Sequence, residues 1–300
     1  MADKILKKPF ISARDEVKKQ PTTVYTSQKT RGAYQLAFLD RDFLLREELR
    51  PVRLQLELLK PELIQQEQNI EATVVVFGSA RLLEPSKARK SLKLAKAALA
   101  ENPNDKALMK QVQIAQSVLD KARYYEEARK LGSIVSIMNQ KVESCNFLVV
   151  TGAGPGIMEA ANRGAHDVGS KSIGVSIVLP REEEPNKYVT PELTFKFHYF
   201  AIRKMHFLLR ARALVAFPGG FGTLDELFES LTLMQTRKIN TVPIILVGKE
   251  YWNKIINFQA FVDEGVIAPE DLNLLQFVET AEEAWHAIAS FYNLPDYKGK

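Results

Sequence analysis

The sequence predicts an α/β protein, a doubly wound and mostly parallel sheet, and three observations carry that expectation. Short β-branched runs alternate with helical stretches along the C-terminal two-thirds of the chain. Those runs are apolar throughout instead of alternating, as suits strands buried on both faces. The glycine-rich segments fall where strands end and helices begin, the side of such a sheet on which ligands sit.

Residues 1–33 hold eight Lys/Arg and three Asp/Glu with little periodicity, and are expected to form a largely disordered basic arm. From Tyr34 to about Gln68 the pattern turns helical, with Leu36, Leu39, Phe43 and Leu44 on one stripe and Leu54, Leu58 and Leu59 on another. Pro51 and Pro61 are expected to break or kink this run. The first strand, Thr73 to Phe77, ends in the small-residue turn Gly78-Ser79-Ala80. Ser86 to Ala100 and Asp105 to about Gln140 read as a helical hairpin around Asn102-Pro103-Asn104. Its second arm runs on into the helix that covers the sheet through Tyr124, Tyr125, Ala128, Leu131 and Ile134.

Further strands are expected at Phe147–Thr151, Ser172–Val178, Ala213–Phe217, Val242–Val247 and Leu275–Val278. Helices between and after them cover roughly Gly156–Val168, Phe200–Arg212, Thr223–Gln235, Tyr251–Glu264 and Ala281–Tyr292. The organisation is a basic arm at 1–33, N-terminal helices at 34–70, and a Rossmann-like nucleotide-binding domain at 71–295 with a helical insertion at about 82–121.

Composition narrows the function. A hydrophobic content of 46% with 26% charged residues is that of an ordinary soluble globular protein, and no apolar run approaches the roughly 20 residues that cross a bilayer. Met1 to Phe10 lacks the apolar core of a secretory signal. Cys145 is the single cysteine, a core thiol at the start of a strand by its neighbours, so the cytoplasm is the expected compartment. The four histidines lack metal-site spacing, and no metal or redox cofactor is expected. The net charge of +5 concentrates at 1–33 and 81–123, which leaves the main domain mildly acidic and makes nucleic-acid binding an unexpected role.

Two glycine loops carry the chemistry. Thr151-Gly152-Ala153-Gly154-Pro155-Gly156 leads from a strand into a helix, where backbone N–H groups and the helix dipole favour an anion. Alone, this is equally a structural turn. The second, Pro218-Gly219-Gly220-Phe221-Gly222-Thr223, sets three glycines within four positions and forms a nest of N–H donors to which Thr223 adds a hydroxyl. It is neither a P-loop nor a dinucleotide fingerprint. Thr223 and Glu226 also read as a capping box, which does not by itself require the preceding glycines. Between the loops, Arg203 and Lys204 sit side by side near a helix start, against its dipole, where an anion would relieve them.

The segments PGGFGTLDELFE, FAIRKMH and GAGPGIMEAANRGA resemble the LOG ("Lonely Guy") family, nucleoside 5′-monophosphate phosphoribohydrolases long labelled lysine decarboxylase-like. The resemblance covers about residues 72–80 and 124–290 and is nearest to the longer bacterial members; the first loop reads GAGPG where many members have GGG. It implies that Arg203 and Glu226 are the catalytic pair and that Gly220, Phe221, Gly222 and Thr223 hold the phosphate. It further implies that Lys204, Thr232 and one acid of the 182–184 loop, best matched by Glu182, line the site; Ser79, Gly154, Gly156 and Gly219 join them as loop residues at the ligand end of the sheet.

Hydrolysis of a purine nucleotide, AMP-like or cytokinin-type, to base and ribose 5-phosphate is the expected reaction. It passes through an oxocarbenium-like state that a carboxylate near the ribose favours. The rival reading is a non-catalytic nucleotide sensor using the same pocket. A pyridoxal phosphate decarboxylase is not supported, since Lys204 lacks a partner for the ring nitrogen. A homodimer or higher homo-oligomer is expected, because the apolar stripes at 36–59 need a surface to cover.

Overall fold

The computed structural model describes residues 13–14, 17, 35–142, 146–179 and 184–299. Most of the expected basic arm, Cys145 and Glu182 lie outside the described residues. The chain divides into two compact units, Met1–Arg53 and Leu54–Lys300. The first contains α1 (Arg41–Leu44), where the Asp40 carboxylate accepts the Phe43 N–H at 3.0 Å, followed by a 3₁₀ turn at Glu47–Leu49. Arg53 donates to the Leu44 carbonyl at 2.9 Å within the same unit.

Helix α2 (Arg50–Glu67) opens with Pro51 in its first turn, where a missing N–H costs nothing, so this proline starts the helix instead of breaking it. Pro61 does not interrupt it either. Its ring is buried and the helix is fastened on both sides. Upstream, the Glu57 carboxylate accepts the N–H groups of His198 and Tyr199 at 3.0 and 3.1 Å. Downstream, Glu62 takes both arms of the Arg210 guanidinium at 2.6 and 2.7 Å.

Strand β1 (Ala72–Phe77) is followed by helices α3 (Pro85–Glu101), α4 (Lys106–Asp120) and α5 (Arg123–Lys141). The expected continuous second arm is therefore two helices broken at Lys121-Ala122. The reason is a change of surroundings. Among the residues of α4 only Ala115 is buried, whereas α5 must bury Tyr124, Tyr125, Ala128, Leu131 and Ile134 against the sheet, as read from the sequence. Then come β2 (Phe147–Thr151), α6 (Ile157–Asp167), β3 (Ser172–Ile177) and β4 (Thr194–Phe197). They are followed by α7 (Phe200–Leu208), β5 (Ala211–Ala216), α8 (Phe221–Gln235), β6 (Ile244–Val247), α9 (Lys249–Ile255) and α10 (Phe258–Asp263). The last two elements are β7 (Leu275–Val278) and α11 (Ala281–Tyr292).

Among the described residues seven strands form one sheet, all parallel, in the order β4-β3-β2-β1-β5-β6-β7. Three expectations shift. β4 was not foreseen: it is a four-residue edge strand, Thr-Phe-Lys-Phe, that buries Phe195 and Phe197 and exposes Lys196. The helix expected to reach Arg212 stops at Leu208, because Arg210 is drawn to Glu62 and to the Ile70 carbonyl and the chain enters β5 at Ala211. The span 251–264 is two helices, with Asn257 capping the second through the Ala260 N–H at 3.2 Å.

Alternation along β1 divides the core. Val74 and Val76 face α5, α6 and α11 with Leu131, Ile157 and Trp285; Val75 and Phe77 face α7, α8 and α9 with Phe207, Leu227 and Trp252. Successive connections run outward on either side of β1, so the strand order reverses between β1 and β5. That is the switch point at which doubly wound sheets open a crevice beyond their carboxyl ends.

Candidate active site

The loop after β5 is built so that its N–H groups remain open. The Pro218 carbonyl accepts the Ser79 N–H at 3.0 Å, and the Gly219 carbonyl accepts the Tyr251 hydroxyl at 2.6 Å. A Cβ on Gly219 would lie 2.1 Å from Thr223 Oγ1, so only glycine permits this approach. The Gly220 carbonyl takes the N–H groups of Thr223 and Leu224, both at 3.0 Å. The N–H groups of Gly220, Phe221 and Gly222 find no acceptor among the described residues. They lie at the start of a 15-residue helix, whose dipole adds positive potential there. The capping box does not form. α8 begins at Phe221 with Gly220 as a cap that offers no side chain, and the Glu226 side chain lines the cavity beside the loop instead.

Arg203 reaches the same cavity from α7. Its Nε donates to the Val175 carbonyl at 2.9 Å, and its guanidinium lies 5.0 Å from the centre of the Phe207 ring. Burial pulls the guanidinium down from its ordinary value, opposed by the charges of Glu226 and Asp225. Glu226 is only 6% exposed. Burial pushes its carboxyl up to about 7, against the pull of Arg203 and Lys204. No ion pair closes between Glu226 and Arg203 among the described residues, so both groups stay available to a ligand. Lys204 turns from the cavity and pairs with Asp225 at 2.8 Å and Glu229 at 2.9 Å.

The cavity holds about 550 Å³ and brings together Ser79, Arg203, Gly220, Phe221, Gly222, Thr223 and Glu226. Phe221 is 91% exposed, at the rim. Across a shared wall of Ala80, Gly152, Met158 and Arg203 lies a second space of about 160 Å³, bounded by Gly154, Ile177, Leu179 and Glu184. Gly156 lines neither space. It adopts φ 72°, and a Cβ there would lie 2.3 Å from the Ser79 carbonyl oxygen, so it brings the two turns together. Ala153 takes φ 59° where a glycine is more usual. It is held by Thr151 Oγ1, which accepts its N–H at 3.0 Å, and by the Asn186 N–H, which donates to its carbonyl at 2.8 Å. Fully buried Asn162 ties this loop down through Thr151 at 2.7 Å, Ser172 at 3.0 Å and Asn186 at 2.9 Å.

Thr232 is elsewhere. Its hydroxyl donates to the Phe228 carbonyl at 2.7 Å and borders a separate apolar pocket with Phe258 and Phe261. Six helical residues beyond Glu226 turn the side chain by about 240° and carry it about 9 Å along the axis. Sequence reasoning missed Tyr251, Asn162 and Met158. A buried asparagine in an apolar helical face was the one available signal. A separate depression of about 770 Å³ is an open groove beside β7 and α11 and contains none of the glycine loops. Among the described residues no cluster of His, Cys, Asp and Glu could hold a metal ion, and no helix is long and apolar enough to cross a membrane.

Residues 158–288 match the family model described as "Possible lysine decarboxylase". The cytokinin riboside 5′-monophosphate phosphoribohydrolase LOG7 of Arabidopsis thaliana is 31% identical over 54% of this chain and 72% of its own length. LOG3 of the same plant is 30% identical over 54% of this chain and 73% of its own length. Among solved structures, the Moco carrier protein of Chlamydomonas reinhardtii aligns at 17% identity over 74% of this chain and 98% of that one, with a TM-score of 0.43. With nearly three-quarters of its plant relatives' length matched at this identity, and with the glycine loops, Arg203 and Glu226 on one switch-point crevice, the chain belongs to the LOG family.

Proposed function

We propose that this protein hydrolyses the N-glycosidic bond of purine nucleoside 5′-monophosphates, AMP or N6-substituted adenine nucleotides, to the free base and ribose 5-phosphate. One observation carries the reading: the raised carboxyl of Glu226 shares a cavity with Arg203 and with three N–H groups at a helix N-terminus that have no acceptor among the described residues. The phosphate sits on Gly220, Phe221, Gly222 and Thr223, and its binding energy positions the sugar. The base then extends over Gly152 and Met158 toward the second space. As the C1′–N bond stretches, positive charge develops on the ribose, and the ionised Glu226 carboxylate stabilises it and accepts a proton from the attacking water. A carboxyl near 7 suits proton transfer at neutral pH. Arg203 stays cationic and stabilises the electron pair left on the departing base, which becomes the neutral free base by taking up the proton that Glu226 gained from water, directly or through solvent.

Incubation with AMP, followed by chromatography, should release adenine. Adenosine, which lacks the phosphate, should be cleaved with far lower kcat/KM. Equal efficiency on both refutes the reading, and tight AMP binding without adenine release supports a sensor instead. The protein acts as a homodimer or larger homo-oligomer in the cytoplasm. Leu56, Leu59 and Leu63, exposed along one face of α2, supply an apolar stripe for a second copy. Light scattering that returns a 33.9 kDa monomer at working concentration refutes this assembly.

A further inference from the structure

Two carbonyls decide which way the N–H groups of the 218–222 loop face. A trans peptide carries its C=O and N–H on opposite sides, so turning one inward turns the other out. The Pro218 carbonyl is held by Ser79, which belongs to the cavity wall, and the Gly219 carbonyl by Tyr251, which does not. Tyr251 comes from α9, beyond the next strand of the sheet. Its ring packs edge-on against Trp252 at 5.4 Å and 83°. Trp252 is fully buried, and its indole N–H donates to the Val247 carbonyl at 3.1 Å. The hydroxyl is thus delivered from a fixed helix to a loop of glycines that has little rigidity of its own.

We infer that Tyr251 is a positioning residue for the anion: its hydroxyl holds the Gly219-Gly220 peptide with the carbonyl turned from the cavity and the Gly220 N–H turned toward a nucleotide's 5′-phosphate. The inference rests on the reading of this loop as the phosphate seat. Without the hydroxyl, the half-buried carbonyl loses its donor, and glycine on both sides lets the peptide rotate. A rotated peptide aims an oxygen at the phosphate and replaces attraction with repulsion. The phosphate does not react, so a contact that is weakened while the sugar stays seated costs ground and transition states alike and raises KM at constant kcat.

Tyr251→Phe removes one oxygen and keeps the ring on Trp252. In the full chain it should raise KM for AMP about tenfold and leave kcat within about twofold. The concentration of inorganic phosphate that produces a given rise in Tm should increase about tenfold as well, a readout that needs folded protein and no catalysis. Unchanged KM and an unchanged phosphate response overturn the inference, as does a fall in kcat at constant KM. If the unmodified protein gains no stability from phosphate and cleaves adenosine as well as AMP, the phosphate seat itself falls and the inference with it. A variant that answers phosphate as the unmodified protein does sinks only the role of Tyr251.

Discussion

Replacing Glu226 with glutamine should stabilise the fold while it destroys the proposed activity, and the two effects have different pH dependences. The carboxyl is held at about 7 against an ordinary 4.5 because burial disfavours its charge. Below pH 4.5 the group is protonated in folded and unfolded chains alike and costs nothing. Between 4.5 and 7 the unfolded chain ionises while the folded one stays protonated, and stability falls. Above 7 both are ionised and the full difference, about 3 kcal/mol, weighs against the fold. Glutamine has similar shape and no charge. Glu226→Gln should therefore raise Tm by roughly 6 °C at pH 8 and by little at pH 5, read by calorimetry at both values. Adenine release from AMP should fall by a factor of about 100 to 10,000. Equal Tm gains at the two pH values would refute the argument that desolvation of a charge is stored here. Near-normal turnover would refute the catalytic assignment.

Gly219→Ala forces a methyl group onto Thr223 and should lower kcat/KM for AMP by about a hundredfold, since displacement of the loop by a fraction of an ångström misplaces the phosphate; steady-state rates within threefold of the unmodified protein would contradict this. Thr232→Ala should leave kcat/KM within about twofold, because the hydroxyl serves only its own helix; a tenfold loss would return Thr232 to the site. Asn162→Leu removes the buried amide that Thr151, Ser172 and Asn186 share and should lower the unfolding free energy by about 3 kcal/mol, measured by urea titration. A loss below 1 kcal/mol would mean that the network is dispensable.

The strands that surround the site were legible because they are buried on both faces and so carry unbroken apolar runs such as Thr73–Phe77. β4 escaped notice because it sits at the edge, with Lys196 between two phenylalanines in only four residues. The break between α4 and α5 carries no glycine or proline and arises from what each helix must cover. At the site, Arg203, Glu226 and the second glycine loop declared themselves through motif and spacing, and they line one cavity. Lys204 belongs to the same motif, but its neighbour Asp225 and Glu229, a turn further along α8, draw it aside. Tyr251 gave no local signal: its partner is a backbone carbonyl 32 residues away, and pattern alone does not reveal such a contact.

The placement of β1 in the sheet has a kinetic consequence. β1 pairs with β2 across the whole of α3, α4 and α5, and with β5 across more than 130 residues, joining Val74 to Ala213. Both pairings close long loops, and contacts of that span form slowly. The crevice that holds Arg203 and Glu226 opens between β1 and β5, so it does not exist until the most distant pairing in the sheet is made. During refolding, helical signal should recover first and phosphate binding last. A chain released before β5 is synthesised would carry the first glycine loop but no seat for a nucleotide.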